Sequence, residues 1–150
     1  MKIVLDANIV FSGILNTNSK IGDLLMNSEQ FFTFISPYFL KNEIQNHYLK
    51  LVKISGLALP EILEAEFQIY KEIDFISEDQ VKDLHWMDAE LLVADVDPKD
   101  IHYIAYSKQF ECKLWSGDKI LMKGLKKKGF NNFITTDELF QLRETFRNKI

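Results

Sequence analysis

Four acidic residues, Asp6, Glu43, Asp100 and Asp118, each stand just beyond, or one helical turn beyond, a point where an apolar run ends. In an α/β protein such ends gather along one edge of the sheet, which is where ligands bind. Carboxylates brought together repel one another, and a hard divalent cation such as Mg²⁺ relieves the repulsion because it prefers oxygen ligands and keeps several waters. The chemistry open to such a group is metal-assisted cleavage of a phosphodiester, in which bound water becomes the nucleophile.

Each of these residues also has an ordinary structural reading. Asp6 and Asn8 sit where Asp and Asn commonly bond to backbone N–H groups in the turn leaving a strand. In the functional reading, Asn8 supports Asp6 and holds it in place. Glu43 lies on the flank of the stripe formed by Leu40, Ile44 and Leu51, about 60° from Leu40 at ~100° per residue, so it is partly turned inward. A carboxylate there needs a cation, a basic side chain or a metal beside it. His47, one turn later, reads as a hydrogen-bonded boundary residue. In Asp97-Pro98-Lys99-Asp100 a helix cap needs only one of the two acids, so Asp97 is expected as the cap and Asp100 as the ligand. Asp118 follows Ser116-Gly117, where a glycine lets the chain turn sharply, and it too can cap the helix beginning at Lys119. Ser116 can bond a phosphate or a metal-bound water. Lys119, Lys123, Lys126 and Lys127 fall on one helix face that starts beside Asp118, with Lys119 and Lys123 the nearest candidates to guide a nucleic-acid strand.

The elements that must position these residues alternate along the chain. Residues 1–5 form a short β-branched run without alternation, as a central strand covered on both faces requires. A polar loop at 16–19, a short helix through Ile21, Leu24 and Leu25, and a strand at 31–35 follow. Ser36-Pro37 reads as a helix start, with the helix continuing to Ser55-Gly56. Residues 59–71 read as another helix with no evident packing partner, 73–77 as a third strand, and 80–96 as helical towards their end. A helix opened by Asp97-Pro98, a strand at 113–116, a helix from Lys119 to about Lys128 and a strand at 132–134 come next. A final helix is opened by the capping box Thr135-Thr136-Asp137-Glu138. The alternation predicts an α/β fold, a mostly parallel sheet of about five strands between helical layers.

The chain has 150 residues, 47% of them hydrophobic and 13% aromatic, which suits one domain, 1–150, with a packed core. A single cysteine, Cys112, cannot form an internal disulfide, and no leader-like segment opens the chain, so a reducing cytoplasm is expected. No apolar run approaches the ~18 residues a membrane span needs. A net charge of −4 argues against coating nucleic acid by bulk charge, so any such contact must be local or bridged by metal.

Leu5-Asp6-Ala7-Asn8, Glu43 in the helix after the second strand, Asp97-Pro98-Lys99-Asp100 and Ser116-Gly117-Asp118 resemble, in order and spacing, the acidic motifs of PIN-domain ribonucleases. The resemblance spans nearly the whole chain. It implies a three-layer α/β/α sandwich and Mg²⁺ or Mn²⁺ held by Asp6, Glu43, Asp100 and Asp118 for cleavage of single-stranded RNA. It also implies kinship with the toxin halves of bacterial toxin–antitoxin pairs, which are often dimeric and inhibited by a partner antitoxin protein. Ser116 stands where threonine is frequent in the family, and residues 49–96 do not align closely. Two other readings remain open. One is a Mg²⁺-dependent phosphate-handling doubly wound domain, for which Lys119 is a poor phosphate lysine and Asp6-Ala7-Asn8 lacks a second acid. The other is a catalytically silent PIN-like module that binds RNA or protein without cutting.

Overall fold

In the computed structural model, which describes residues 1–149, the opening run forms strand β1 (Lys2–Leu5). Ile3, Val4 and Leu5 are all fully buried, as consecutive apolar residues must be in a strand covered on both faces. Strands β2 (Thr33–Pro37), β3 (Ile73–Ile76), β4 (Lys113–Trp115) and β5 (Phe133–Ile134) join it in one parallel sheet of order β3-β2-β1-β4-β5. Val4 stands opposite Ile35 on one side and Leu114 on the other. The order reverses between β1 and β4, so a crevice opens past Leu5 and Trp115, the geometry that receives ligands in open parallel sheets.

Two groups of helices cover the sheet. Helix α1 (Ala7–Leu15) packs with α2 (Lys20–Met26), α3 (Phe39–Gln45), α4 (Tyr48–Ser55) and α5 (Leu59–Tyr70). Helix α6 (Asp83–Val93) packs on α7 (Ile101–Phe110), which lies across β1, β2 and β4. Helix α8 (Lys119–Lys126) follows β4, and α9 (Thr136–Arg147) rests on α2. There Arg143, 2% exposed, donates to Asp23 Oδ2 at 2.6 Å and to Ser28 Oγ at 3.1 Å. The capping box of α9 forms as the sequence reads: Thr135 Oγ1 accepts from the Glu138 N–H, and the Glu138 carboxylate accepts from the Thr135 N–H. No helix among the described residues is long and apolar enough to cross a membrane.

Four sequence expectations change. Helix α1 begins within the expected turn after Asp6 and fills the stretch up to the loop at 16–19, to which no element was assigned, burying Ile9, Val10, Gly13 and Ile14. Ser36-Pro37 does not start a helix but ends β2, where Pro37 pairs with Ile76. Helix entry shifts to Tyr38, which makes no side-chain cap. The single helix expected to reach Gly56 breaks at Asn46-His47, where the His47 N–H bonds back only three residues to the Ile44 carbonyl at 3.0 Å. Asparagine inside a helix competes for its own backbone, which favours a break there. Gly56 does end the second piece, in the left-handed conformation that glycine adopts readily, with φ 72°. Residues 80–82 belong to a 3-10 turn and the extended entry to α6 rather than to that helix.

Candidate active site

Asp6 is the first residue after β1 and the N-cap of α1, with its Oδ1 accepting from the Ile9 N–H at 3.0 Å. It is 3% exposed. Burial lifts its carboxyl from the ordinary 3.8 to about 6, and Asp118 pushes the same way, while hydrogen bonds from Ile9, Ser116 and the Asn8 backbone partly offset the rise. Asp118 mirrors this arrangement across the crevice: it is the N-cap of α8, and its Oδ1 accepts from the Leu121 N–H at 3.0 Å. Fully buried Ser116 orders that turn by accepting from the Asp118 N–H at 3.1 Å. Capping and ligation were competing explanations for these acids. The capping bonds fall on a single oxygen, Oδ1, of Asp6 and of Asp118, so capping does not by itself exclude ligation.

Asp97 takes the capping role expected of it, accepting from the Lys99 N–H at 3.0 Å. Asp100 makes no capping bond; its Oδ2 is buried without a hydrogen-bond partner. Burial is the largest cause lifting its carboxyl to about 7, and Asp97, Asp6, Asp118 and Glu43 add to the rise in that order. Glu43, on the flank of α3, accepts at Oε1 from the hydroxyl of Tyr103 on α7.

The other three candidate acids, Asp6, Glu43 and Asp118, therefore all act on the carboxyl of Asp100, each from a different segment of the chain. They are not drawn to ligating spacing: among the described residues no three acidic, histidine or cysteine side chains stand close enough to grip an ion. The residues nonetheless fit a hard cation. The donors are all oxygens, Asp100 Oδ2 lacks any partner, and two carboxyls are held well above their ordinary range by burial and mutual repulsion, which a divalent ion would relieve.

The remaining candidates lie around this centre. The side chain of Asn8 is exposed, and its backbone, not its amide, supports Asp6. Lys119, Lys123 and Lys126 are exposed on α8, and Lys127 is exposed just beyond its end. Lys123 and Lys127 border a groove of about 520 Å³ shared with Asp95, Val96 and Ile120. Gly117 does not have positive φ, and a Cβ there would touch nothing, so the sharp turn does not require glycine. His47 is exposed at the start of α4. Tyr103 was missed in the sequence because Ile101, Ile104 and Ala105 defined the helix face. Its spacing of three residues from Asp100 was the available signal, since such residues share one side of a helix.

An open parallel sheet with acids at its strand-order switch, each on a different element, defines a class of α/β proteins with an acidic crevice. Within that class the family is established, since the family described as PIN domain matches residues 4–143, and the chain belongs to it. Its members are generally nucleases that use divalent metal ions. Among solved structures, a chain in the crystal structure of VapBC2 from Rickettsia felis, bound to a DNA fragment from their promoter, shares the fold. The TM-score is 0.66 at 13% identity, over 90% of this chain and 97% of that one. No curated protein sequence matches.

Proposed function

We propose that the chain is a metal-dependent endoribonuclease that cuts single-stranded RNA as one domain, 1–150, with Asp6, Glu43, Asp100 and Asp118 as the ligands of Mg²⁺ or Mn²⁺. The observation carrying this reading is the partnerless, buried Asp100 Oδ2 at the focus of three other carboxylates. When bound, the ion supplies an acidified water and positive charge for the phosphate oxygens. Asp6 and Asp118 keep their orientation through the first turns of α1 and α8, so their carboxylates are directed by rigid helix ends. Asp97 fixes the turn that delivers Asp100, and Ser116 fixes the turn that delivers Asp118. Lys119 directly follows Asp118 and Lys123 lies one turn further along α8, both exposed, and their charge guides the flanking strand of an otherwise repelled polyanion.

We further read the chain as the toxin of a toxin–antitoxin pair. The fold shared with a VapBC2 chain supports this, as does an apolar groove of about 550 Å³ lined by Ile14, Leu15, Met26, Leu57, Ala65 and Ile69, large enough for a partner's side chains. Buried, unpaired Cys112 suits a cytoplasmic setting. A silent, non-cutting module remains the second reading, favoured by the carboxylates standing apart from ligating spacing.

The test is cleavage of mixed single-stranded RNA by inhibitor-free protein with Mg²⁺, Mn²⁺ or chelator. Cleavage with metal, lost with chelator and lost in a folded Asp118→Asn variant, is expected. Full activity in chelator, or in that variant, removes the metal-dependent reading, and no cleavage with either ion favours the silent module.

A further inference from the structure

Three of the four acids have their surroundings explained by the backbone or by the lack of any partner. Asp6 and Asp118 stand at helix N-termini, where free N–H groups orient a carboxylate, and Asp100 Oδ2 has no donor at all. Glu43 differs. It lies at the fifth position of seven-residue α3, beyond the N-terminal turn whose N–H groups are free, so only another side chain can hold it.

That side chain is Tyr103. Its ring is 1% exposed, its hydroxyl donates to Glu43 Oε1, and Asp6 and Asp100 are the other acids whose charge it feels. A buried tyrosine hydroxyl requires a partner, and of the acceptors in reach it takes the carboxylate. We propose that Tyr103 is a positioning residue of the metal site, fixing Glu43 through Oε1 so that its other oxygen is left to ligate. The proposal rests on the nuclease reading above.

The residue type matters. An arginine or lysine in this place would neutralise Glu43 and compete with the ion, whereas a neutral phenol fixes the carboxylate while leaving its charge available. Position matters as well. Helix α7 carries Asp100 at its start and Tyr103 three residues on, so one rigid element presents a carboxylate and braces a second carboxylate arriving from α3. Donors of this kind around metal ligands typically contribute 10- to 100-fold in metal affinity or activity.

The experiment uses Tyr103→Phe, which keeps the ring, with Mn²⁺ as the probe, titrated into chelator-stripped protein and followed by calorimetry and by the Mn²⁺ electron-spin signal. A fall of about 10- to 100-fold in Mn²⁺ affinity is expected. Excess Mn²⁺ should restore the RNA cleavage rate, and KM for RNA should stay unchanged. Unaltered affinity and spin signal in Tyr103→Phe overturn the proposal. Glu43→Gln provides the second arm: in that background Tyr103→Phe should weaken Mn²⁺ binding no further, and an equal loss in both backgrounds shows that Tyr103 acts elsewhere and overturns the proposal. If the wild-type protein takes up no Mn²⁺, the nuclease reading fails first and carries this inference with it.

Discussion

Replacing Asp6 by asparagine should abolish metal-dependent cleavage and at the same time make the metal-free protein more stable. The carboxyl is almost fully buried and its pKa stands at about 6 against an ordinary 3.8, so at pH 7 the folded protein holds an ionised group that the unfolded chain ionises far more readily. At ~1.4 kcal/mol for each factor of ten in proton affinity, that difference destabilises the fold by about 3 kcal/mol. Asparagine removes the charge, keeps an oxygen to accept from the Ile9 N–H, and is as good an N-cap as aspartate. Its amide donors gain no assured partner, which costs about 1 kcal/mol, leaving a net gain of about 2 kcal/mol.

The sign can be checked against pH. Because the folded pKa is raised, the folded state binds more protons between about pH 4 and 6, and stability falls as pH rises through that window. The advantage of Asp6→Asn should therefore be largest at pH 7, shrink markedly by pH 5 as wild-type Asp6 takes up its proton, and nearly vanish at pH 4. Urea unfolding in chelator at these three pH values measures it. A variant less stable than wild type at pH 7, or an advantage constant with pH, would refute the reasoning. Adding Mn²⁺ should then reverse the ranking, since only the wild type gains binding energy from the ion.

Three further outcomes test other parts of the structure. Arg143→Ala should destabilise by about 3 kcal/mol in urea unfolding, because it strips a buried guanidinium from Asp23 and Ser28. Arg143 holds the Asp23 carboxyl below its ordinary range, so the stability from that pair is present above pH 4 and is lost as pH falls through the folded pKa, and the variant should lose less on acidification. Lys119→Gln with Lys123→Gln should weaken single-stranded RNA binding and lower the slope of log affinity against log salt by about 1.4, whereas Lys128→Gln should leave that slope nearly unchanged because Lys128 is engaged by Asp95. Gly22→Ala places a Cβ 2.3 Å from the Thr17 carbonyl oxygen and should cost about 1–3 kcal/mol, while Gly117→Ala meets open space and should fall within about 0.5 kcal/mol of wild type.

The sheet was legible because β1, β2 and β4 are runs of buried residues whose types have little other use, and because Asp6 and Asp118 mark where two of them stop. Helix α1 was hidden because its residues Ile9, Val10, Phe11 and Ile14 are β-branched or aromatic, types that favour strands; tertiary burial overrides that preference. Pro37 misled for a related reason. It suits a helix start as well as a strand end, and only the pairing of Pro37 with Ile76 from residues far along the chain decides between them. The acids could be located but not their orientation. Whether Glu43 meets a cation, a metal or a phenol depends on which side chain of α7 comes within reach of α3, which no local pattern encodes.

The two raised carboxyls lead to a measurement that bears on the site as a unit. With Asp6 at about 6 and Asp100 at about 7, these two carboxyls in metal-free protein hold roughly one and a half protons at pH 6 and almost none at pH 8. An ion ligated by both carboxylates must displace whatever protons they carry, so binding and proton release are coupled. Mn²⁺ titrations in buffers of different ionisation enthalpy should then report release of more than one proton at pH 6, falling towards zero by pH 8, with affinity rising over the same interval. Asp100→Asn should remove the larger share of that release at pH 6, because Asp100 is the more nearly protonated of the two. Release that does not vary with pH, or that is undiminished by loss of Asp100, would mean that the ion binds away from these carboxyls, and Asp6 and Asp118 would then be helix caps and nothing more.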